Sequence, residues 1–377
     1  MIYLDNNATT KIDPRVFHVQ CEILNKQYGN PSSLYPLGTD MKNLITKARM
    51  QVANLIGADL KNGDKIIFTG CATESNNAVL HSVLYPEAQG KHIIISVAEH
   101  PSILNTAEYY KTLGCRVTKI GVDENGVINE QQLLTSITSD TLFVSIVMVN
   151  SETGVIQDVQ QLTKKIRAIK KDILIHTDAV QAAGKIPINV KNLDVDFLTL
   201  SGHKFNAPKG VGALYIKKNI KFIPFMHGGH QEDGFRAGTE NTASIVAMGA
   251  AAELANKRVI SNAIMEVEKL RNSLEQCLEE SFDIKIAGKR ARRVGNTCNV
   301  GFKNIDGSKL VLLLSLKGIC VSSGTACNSI SAEPSEILKA MKMPKEYIQS
   351  IRISLSSETT KDEIVQLINT LKDIIEK

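Results

Sequence analysis

Lys204 and Asp178 are the residues of this chain whose types and positions most directly predict chemistry. Lys204 closes a Ser-Gly-His-Lys turn directly after the strand-like run 197–200, and Asp178 follows an earlier strand-like run, 173–177. A lysine amine forms a Schiff base with the aldehyde of pyridoxal phosphate, and a carboxylate keeps the ring nitrogen protonated so that the ring accepts electrons. The pair therefore predicts a pyridoxal phosphate site.

Other residues near predicted strand ends have types that fit such a site. Residues 68–76 pass from a strand into a helix start, where small residues let backbone N–H groups approach a phosphate and Thr73 adds a hydroxyl, although an ordinary helix N-cap is the alternative. His100 follows another predicted strand and is placed either to stack on the pyridine face and move protons or to bond the backbone as a partly buried histidine. Asn150 ends the predicted strand 142–149, where its amide would reach a substrate carboxylate or the ring oxygen.

Cys327 and Arg352 are candidates for sulfur chemistry and carboxylate binding. Almost every residue of the run 321–331 around Cys327 is small or polar, so we expect a mobile segment whose exposed cysteine acts as a nucleophile once ionised. A buried structural cysteine is the alternative, and it suits Cys320 better. Arg352 lies in the alternating strand 351–355, where it would either hold a carboxylate through two hydrogen bonds or remain exposed at the surface.

The elements that must position these residues alternate between about residues 45 and 215. Strands rich in Val and Ile that are joined by helical crossovers form mostly parallel sheets covered on both faces, and ligands bind beyond their carboxyl ends. Strand-like runs occur at residues 65–69, 92–96, 116–120, 142–149, 173–177, 197–200 and 213–216. After residue 258 the pattern predicts a smaller α+β unit with a long helix at 262–281, a strand at 297–302 and helices at 310–316 and 361–375.

Composition excludes several functional classes. The net charge of +5 is small for 377 residues and does not indicate direct nucleic-acid binding, and we expect the basic run 289–293 to be a solvated loop. The chain opens without a signal-peptide pattern and has no stretch of ~20 apolar residues, so neither secretion nor membrane insertion is expected. Its seven cysteines are scattered and odd in number, with no C-x-x-C pair, which predicts no disulfide framework and no zinc site and favours the cytoplasm.

Ordered motifs along nearly the whole chain closely resemble the pyridoxal-phosphate-dependent cysteine desulfurases of the NifS/IscS family, which are class-V aminotransferase-like. The loop at 322–327 resembles the long-loop group rather than the short-loop group of the Suf-type enzymes. The motifs are Tyr-Leu-Asp-Asn-Asn-Ala-Thr-Thr at 3–10, Gly-Asn-Pro-Ser-Ser at 29–33, Ala-Thr-Glu-Ser-Asn at 72–76, Ala-Glu-His at 98–100, His-Thr-Asp-Ala-Val-Gln at 176–181, Ser-Gly-His-Lys at 201–204, Arg-Ala-Gly-Thr-Glu-Asn at 236–241 and Arg-Ile-Ser-Leu at 352–355. Departures from the usual pattern include Cys71, where a glycine is common, and Asp233, where an arginine is common.

The resemblance implies an α/β fold of type I among pyridoxal phosphate-dependent transferases, with a mostly parallel seven-stranded sheet in a large domain and a smaller α+β domain. The large domain would span residues 15–258. The small domain would combine residues 1–14 with 259–377 and carry the mobile catalytic-cysteine loop at about 321–333. A homodimer with sites shared across the interface is also implied.

The resemblance also implies a role for each candidate residue. Lys204 forms the Schiff base, Asp178 pairs with the ring nitrogen, and His100 stacks on the ring. The implied cofactor-binding residues are Ala72, Thr73, His100, Asn150, Asp178, Gln181, Ser201, His203, Lys204 and Thr239, of which Gln181 bonds the ring hydroxyl and Thr239 reaches the phosphate of the other subunit. Asn150 and Arg352 would bind the substrate carboxylate, and the implied catalytic residues are Cys327, Lys204 and His100.

The implied activity is conversion of L-cysteine to L-alanine with transfer of sulfur to Cys327 as a persulfide. The sulfur would serve iron–sulfur cluster assembly or another transfer such as tRNA thiolation, so the expected partner is an iron–sulfur scaffold or a tRNA-thiolation enzyme. No resident metal is expected, although Cys327 would transiently share a cluster with a scaffold. Alternatives are a selenocysteine lyase, an aminotransferase or a decarboxylase on the same fold, or a non-enzymatic sulfur-relay partner in which the cofactor is structural.

Overall fold

The computed structural model of the chain describes residues 1–261, 263–324 and 335–376, so Cys327 lies outside the described residues. The strands are β1 Ile2–Tyr3, β2 Lys65–Thr69, β3 His92–Ser96, β4 Arg116–Ile120, β5 Thr141–Ser145, β6 Leu174–Asp178, β7 Phe197–Ser201, β8 Gly212–Ile216, β9 Ile284–Ile286, β10 Thr297–Phe302, β11 Ile319–Cys320 and β12 Ser350–Ser354. The α-helices are α1 Pro14–Lys26, α2 Pro36–Ile56, α3 Ala72–Leu84, α4 Pro101–Thr112, α5 Glu130–Thr135, α6 Val159–Ile169, α7 Val190–Leu193, α8 Thr242–Ile260, α9 Ile264–Ser281, α10 Gly307–Leu316, α11 Glu336–Ala340 and α12 Lys361–Ile375.

A seven-stranded sheet with the order β2-β8-β7-β6-β5-β3-β4 forms the centre of the molecule. Only β8 runs against its neighbours, so the sheet is mostly parallel, as predicted. Successive strand residues alternate between two hydrophobic cores because side chains of a strand point to opposite faces. Ile94 and Val144 enter one core, whereas Ile93 and Phe143 enter the core on the other face. Burial of both faces explains the Val- and Ile-rich strand pattern.

The predicted strand at 142–149 is too long, because β5 ends at Ser145. Residues 146–149 are buried and apolar, which gives them the sequence pattern of a strand. Their backbone keeps only part of the sheet bonding, with Ile146 N–H donating to His176 O and Met148 N–H donating to Asp178 O. Asn150 therefore follows an irregular buried segment instead of ending a strand.

The chain after residue 258 forms the α+β arrangement that the sequence predicts. An antiparallel sheet of order β12-β10-β9 lies beside the parallel pair β1-β11. Leu4 from the N-terminal segment is buried in the same core as Val300, Ile353 and Leu367. Both chain ends thus contribute to one core, and the domain boundaries at 14/15 and 258/259 stay a prediction.

The basic run 289–293 is only partly a solvated loop. Lys289, Arg290 and Arg292 are exposed, in agreement with the prediction. Arg293 is different, since its two terminal nitrogens donate to the Glu275 carboxylate at 2.7 and 2.9 Å and both side chains are about 95% buried. A buried ion pair fixes this arginine within the smaller unit.

Within residues 1–261, 263–324 and 335–376, the helices are all too short or too polar to cross a membrane.

Candidate active site

Lys204 lies in a short 3-10 turn, Gly202–Lys204, at the carboxyl end of β7. Its Nζ donates to the backbone oxygens of Asn7 at 2.6 Å and Ala8 at 2.8 Å. The N-terminal segment therefore holds the amine that the sequence singles out, at a separation of almost two hundred residues along the chain.

Asp178 is the last residue of β6, the parallel neighbour of β7, and it pairs in register with Thr199. Its side chain is almost completely buried, at 4% exposure. One carboxylate oxygen accepts from Val180 N–H at 3.0 Å, and the other accepts from Asn76 Nδ2 at 2.9 Å. The structure thus brings Asp178 and Lys204 to the same edge of the sheet, with the carboxylate orientation fixed by two donors.

A hydrogen-bond chain connects Asp178 to His100. Asn76 Nδ2, which donates to Asp178, also donates to Ser102 Oγ at 2.8 Å. Ser102 N–H donates in turn to His100 Nδ1 at 3.1 Å, which leaves Nε2 as the nitrogen that carries the proton in the neutral ring. Burial lowers the pKa of His100, with Asp178 opposing this effect and Lys204 adding to it. His100 is therefore a neutral ring held in one orientation at neutral pH.

The start of α3 is open for an anion. Cys71 is its N-cap residue and makes no side-chain capping bond within the described part of the chain, so the first-turn N–H groups around Ala72 and Thr73 lack a side-chain acceptor. Strand β8 approaches this turn so closely that a Cβ on Gly212 would lie 2.8 Å from the Cys71 carbonyl carbon. The absence of a side chain at Gly212 lets the strand support the helix start.

Ser201 and His203 flank the same edge. Ser201 is the buried last residue of β7, and His203 Nδ1 lies 3.1 Å from Thr9 Oγ1. Burial lowers the pKa of His203 to about 4, assisted by the charges of Lys204 and Lys209. His203 is therefore neutral near pH 7 and would contact a phosphate by hydrogen bonding.

Gln181 is fixed by two residues that the sequence interpretation missed. Its Nε2 donates to Asn7 O at 2.9 Å, and its Oε1 accepts from Lys185 Nζ at 2.5 Å. Lys185 Nζ also donates to Asn7 Oδ1 at 2.9 Å. Asn7 belongs to the motif at 3–10, and that motif could have identified it from the sequence. Lys185 lies outside the motifs, and its spacing of four residues from Gln181 is its only sequence signal.

Arg352 is buried, so the alternative of an exposed surface arginine is wrong. Its side chain is 2% exposed, and Nη2 donates to Asp5 Oδ1 at 2.7 Å. Nη1 donates to Ser151 O at 3.2 Å, while Nε has no hydrogen-bond partner among the described residues. Asn150 uses its Oδ1 to accept from Glu152 N–H at 3.0 Å, so it also shapes the turn beside Ser151.

A cavity of about 290 Å³ opens beside Asn150. It is also lined by Ser323 and Gly324, which precede the undescribed residues 325–334, and by Glu99 and Glu152. Each glutamate is buried and has one carboxyl oxygen without a hydrogen-bond partner in the described ranges. Burial raises the pKa of Glu152, and burial together with the charge of Asp178 raises that of Glu99 well above its usual range. Burial therefore favours the protonated form of both carboxyl groups.

Thr239 lies in an exposed loop beside the start of α3. Together with Gly70 and Gly210 it lines a cavity of about 180 Å³. Arg236 of the same loop donates through Nε to Glu74 Oε1 of α3 at 2.9 Å. This ion pair holds the Thr239 loop against the start of α3.

His176 makes stability depend on pH. It is fully buried on β6, 2.9 Å from Ser145 Oγ and 3.1 Å from Thr199 Oγ1, and burial lowers its pKa to about 4. An unfolded histidine titrates near 6.5, so the unfolded chain binds more protons between about pH 6.5 and 4. We expect His176 to remove about 3 kcal/mol of unfolding free energy as pH falls through that window.

Chemical unfolding between pH 7 and 4.5 tests this expectation. His176→Gln should show a shallower fall than the unsubstituted chain, because glutamine does not titrate. Equal slopes for the two proteins would contradict the assignment.

The donor set around Lys204 and Asp178 fits pyridoxal phosphate. An amine, a buried carboxylate, an oriented neutral histidine and an uncapped helix start are the groups that this aldehyde-bearing, aromatic, phosphorylated cofactor requires. Asn76 Oδ1 is buried without a hydrogen-bond partner in the described part of the chain, which leaves a further acceptor beside Asp178.

Comparisons with known proteins agree with this geometry. Residues 2–367 match the family model described as aminotransferase class-V. A cysteine desulfurase of Nostoc sp. is 43% identical over 379 residues, covering 100% of this chain and 93% of that protein. The cysteine desulfurase NifS of Azotobacter vinelandii is 39% identical over 379 residues, covering 99% of this chain and 92% of that protein.

A solved structure of a NifS-like protein superposes with a TM-score of 0.93 and 36% identity, covering 100% of this chain and 99% of the other. Both the sequence and the fold are therefore matched over nearly the full length, which confirms the resemblance stated from the motifs. The chain belongs to the aminotransferase class-V family and, within it, to the cysteine desulfurases of the NifS/IscS type.

Proposed function

We propose that this protein is a pyridoxal phosphate-dependent desulfurase that converts L-cysteine to L-alanine and carries the sulfur as a persulfide on Cys327. The observation that supports it most is the placement of Lys204 and Asp178 on neighbouring strand ends, with Asn76 and Ser102 connecting Asp178 to His100. Family relatives named cysteine desulfurase support the substrate.

Each part of the cofactor has a group of residues suited to it. Lys204 would attach the cofactor, Asp178 would hold the ring nitrogen, and His100 would cover the ring face. Gln181 would donate to the ring hydroxyl. The phosphate would bind Ala72, Thr73, Ser201 and His203, with Thr239 reaching the phosphate of the partner subunit in a homodimer. When bound, pyridoxal phosphate withdraws electrons from the substrate Cα and so stabilises negative charge there.

Proton transfer falls to two residues. The Lys204 amine would take the Cα proton and later return one. Neutral His100, with its proton on Nε2, would exchange a proton with the substrate thiol. Arg352 would hold the substrate carboxylate, and its unpartnered Nε is available for this role among the described contacts. Asn150 would bind the same carboxylate.

Sulfur transfer needs a thiolate at Cys327. The thiolate forms a bond to the substrate sulfur while the Cβ–S bond breaks, and the electron pair of the broken bond stays on the three-carbon fragment. That fragment takes up a proton and leaves as L-alanine. In total, L-cysteine and the Cys327 thiol give L-alanine and the Cys327 persulfide, so the step needs no external oxidant or reductant.

The persulfide must then pass to an acceptor. An iron–sulfur scaffold or a tRNA-thiolation enzyme would take the sulfur, in the first case with Cys327 briefly contacting a cluster. The scattered cysteines support a reducing compartment such as the cytoplasm.

Mass spectrometry of the cofactor-loaded protein after brief exposure to L-cysteine tests the proposal. We expect one added sulfur on Cys327 and an equal amount of released alanine. Cys327→Ser should form no persulfide and lose at least ~100-fold in alanine formation while still binding the cofactor, because a hydroxyl is a far weaker nucleophile.

Cys21→Ser is the matched control, since Cys21 is a partly exposed cysteine on α1, outside the candidate site. It should keep both persulfide and turnover. Sulfur on Cys71 would mean that the nucleophile is misassigned, and an α-keto acid product would favour an aminotransferase.

A further inference from the structure

Asn7 is the junction of the hydrogen bonds around Lys204. It is 2% exposed, and its backbone oxygen accepts from both Lys204 Nζ at 2.6 Å and Gln181 Nε2 at 2.9 Å. Its side-chain Oδ1 accepts from Lys185 Nζ at 2.9 Å and from Asn296 Nδ2 at 3.0 Å. The amines of two lysines thus converge on one asparagine, and the proposed function assigns a role to only one of them.

Lys185 decides which way the Gln181 amide faces. Its Nζ lies 2.5 Å from Gln181 Oε1, and an amine in contact with two acceptor oxygens donates to both. Because Oε1 is held by Lys185, Nε2 must occupy the opposite side, where it donates one proton to Asn7 O and keeps a second proton for another acceptor. Without a donor at position 185, the amide would be free to turn its oxygen to that side.

We propose that Lys185 is a positioning residue for the cofactor site, acting through Gln181 and Asn7 to present a hydrogen-bond donor to the ring oxygen and to hold the Lys204 amine. This inference rests on the proposed function, because it concerns the residues that would contact pyridoxal phosphate.

The role does not depend on the charge of Lys185. Burial lowers the pKa of Lys185 well below its usual range, and the neighbouring charges of Lys204 and Arg352 add to that effect. A neutral amine still has two N–H groups, which is the number required for Gln181 Oε1 and Asn7 Oδ1. Hydrogen bonding, and not charge, is therefore the property to be tested.

The first variant to make is Lys185→Met, which keeps the length of the side chain and removes its donors. Lys185→Gln is its matched partner, because glutamine has a similar size and retains N–H donors. Lys191→Met is the surface control, since Lys191 lies near Gln181 in sequence but pairs with Asp59 at 3.1 Å in an exposed position.

The main readout is the pH dependence of the absorbance of bound pyridoxal phosphate in the resting holoenzyme, without substrate. A hydrogen-bond donor to the negatively charged ring oxygen gives the greatest stabilisation when the nitrogen that links Lys204 to the cofactor is deprotonated. Loss of that donor in Lys185→Met should therefore raise the titration midpoint by about 0.5–1 pH unit. In the same variant kcat should be about tenfold lower and KM nearly unchanged. Lys185→Gln should restore most of the shift, and Lys191→Met should show none.

The outcomes separate the two proposals. A Lys185→Met holoenzyme that titrates like the unsubstituted protein would overturn the role of Lys185, even if alanine is formed normally. If the midpoint shifts in Lys185→Met but the unsubstituted holoenzyme forms no alanine from L-cysteine, the role of Lys185 is upheld and the proposed function is rejected. If Lys185→Met does not fold, Lys185→Leu is the second donorless variant, because its apolar side chain removes the N–H donors while still filling space beside the cavity of about 630 Å³ that Lys185 borders.

Discussion

Lys204→Ala should abolish alanine and persulfide formation, with a loss of at least ~10⁴-fold in turnover. The variant lacks both the amine that would attach the cofactor and the base that would move the Cα proton. It also lacks the two donors that reach Asn7 O and Ala8 O at the carboxyl end of β7. Alanine release from L-cysteine, measured by mass spectrometry together with the cofactor absorbance of the resting protein, checks the expectation.

Lys209→Ala is the matched control for this variant. Lys209 is an exposed lysine shortly after the same turn, so its loss should leave turnover nearly unchanged. Retained turnover in Lys204→Ala would show that another group performs the chemistry and would reject the scheme.

Asp178→Asn should lower turnover by roughly 150- to 5,000-fold while the protein still folds. The carboxylate is nearly fully buried, and it would be the charge partner of a protonated ring nitrogen. Removal of one partner of a buried ion pair costs roughly 3–5 kcal/mol, which corresponds to that loss of rate if the pair is needed in the transition state. Asparagine keeps the size of the side chain but has a single acceptor oxygen, so only one of the two donors, Asn76 Nδ2 or Val180 N–H, keeps its partner.

Asp196→Asn provides the comparison, because Asp196 is also a buried aspartate of the central sheet region. It accepts from Arg167 Nη2 at 2.6 Å and from Ile175 N–H at 2.8 Å, away from the candidate site. This substitution should reduce the free energy of unfolding and leave kcat largely intact. Equal losses of kcat in the two variants would mean that Asp178 acts through the structure of the sheet and not through its charge.

The hydrophobic pattern predicted the central strands well because their residues are buried on both faces. The runs at 65–69, 92–96 and 116–120 coincide with β2, β3 and β4 to the residue. The same signal failed at 142–149, since burial of residues 146–149 gives a strand-like pattern without a complete ladder of hydrogen bonds. Apolar sequence reports burial, whereas strand bounds depend on backbone pairing with distant residues.

In the candidate site, too, the sequence identified the reactive residues, whereas their burial and partners depend on the fold. Lys204, Asp178 and His100 stood out because amine, carboxylate and imidazole groups followed predicted strands, and the ordered motifs pointed to the family that the comparisons show. Arg352 was recognised as a possible carboxylate ligand, but its burial and its pairing with Asp5 depend on the contact between β12 and the N-terminal segment.

By itself the sequence determined the strand signals, the family motifs and the types of the reactive groups, because each depends on neighbouring residues or on chemistry carried by single side chains. Only the tertiary structure decided which polar groups orient them. Asn76 reaches Asp178 across 102 positions, and Asn7 joins Lys204 across 197. Hydrogen bonds between such distant residues leave no local period in the sequence, so the roles of Asn7, Asn76 and Lys185 emerge only when the chain is folded.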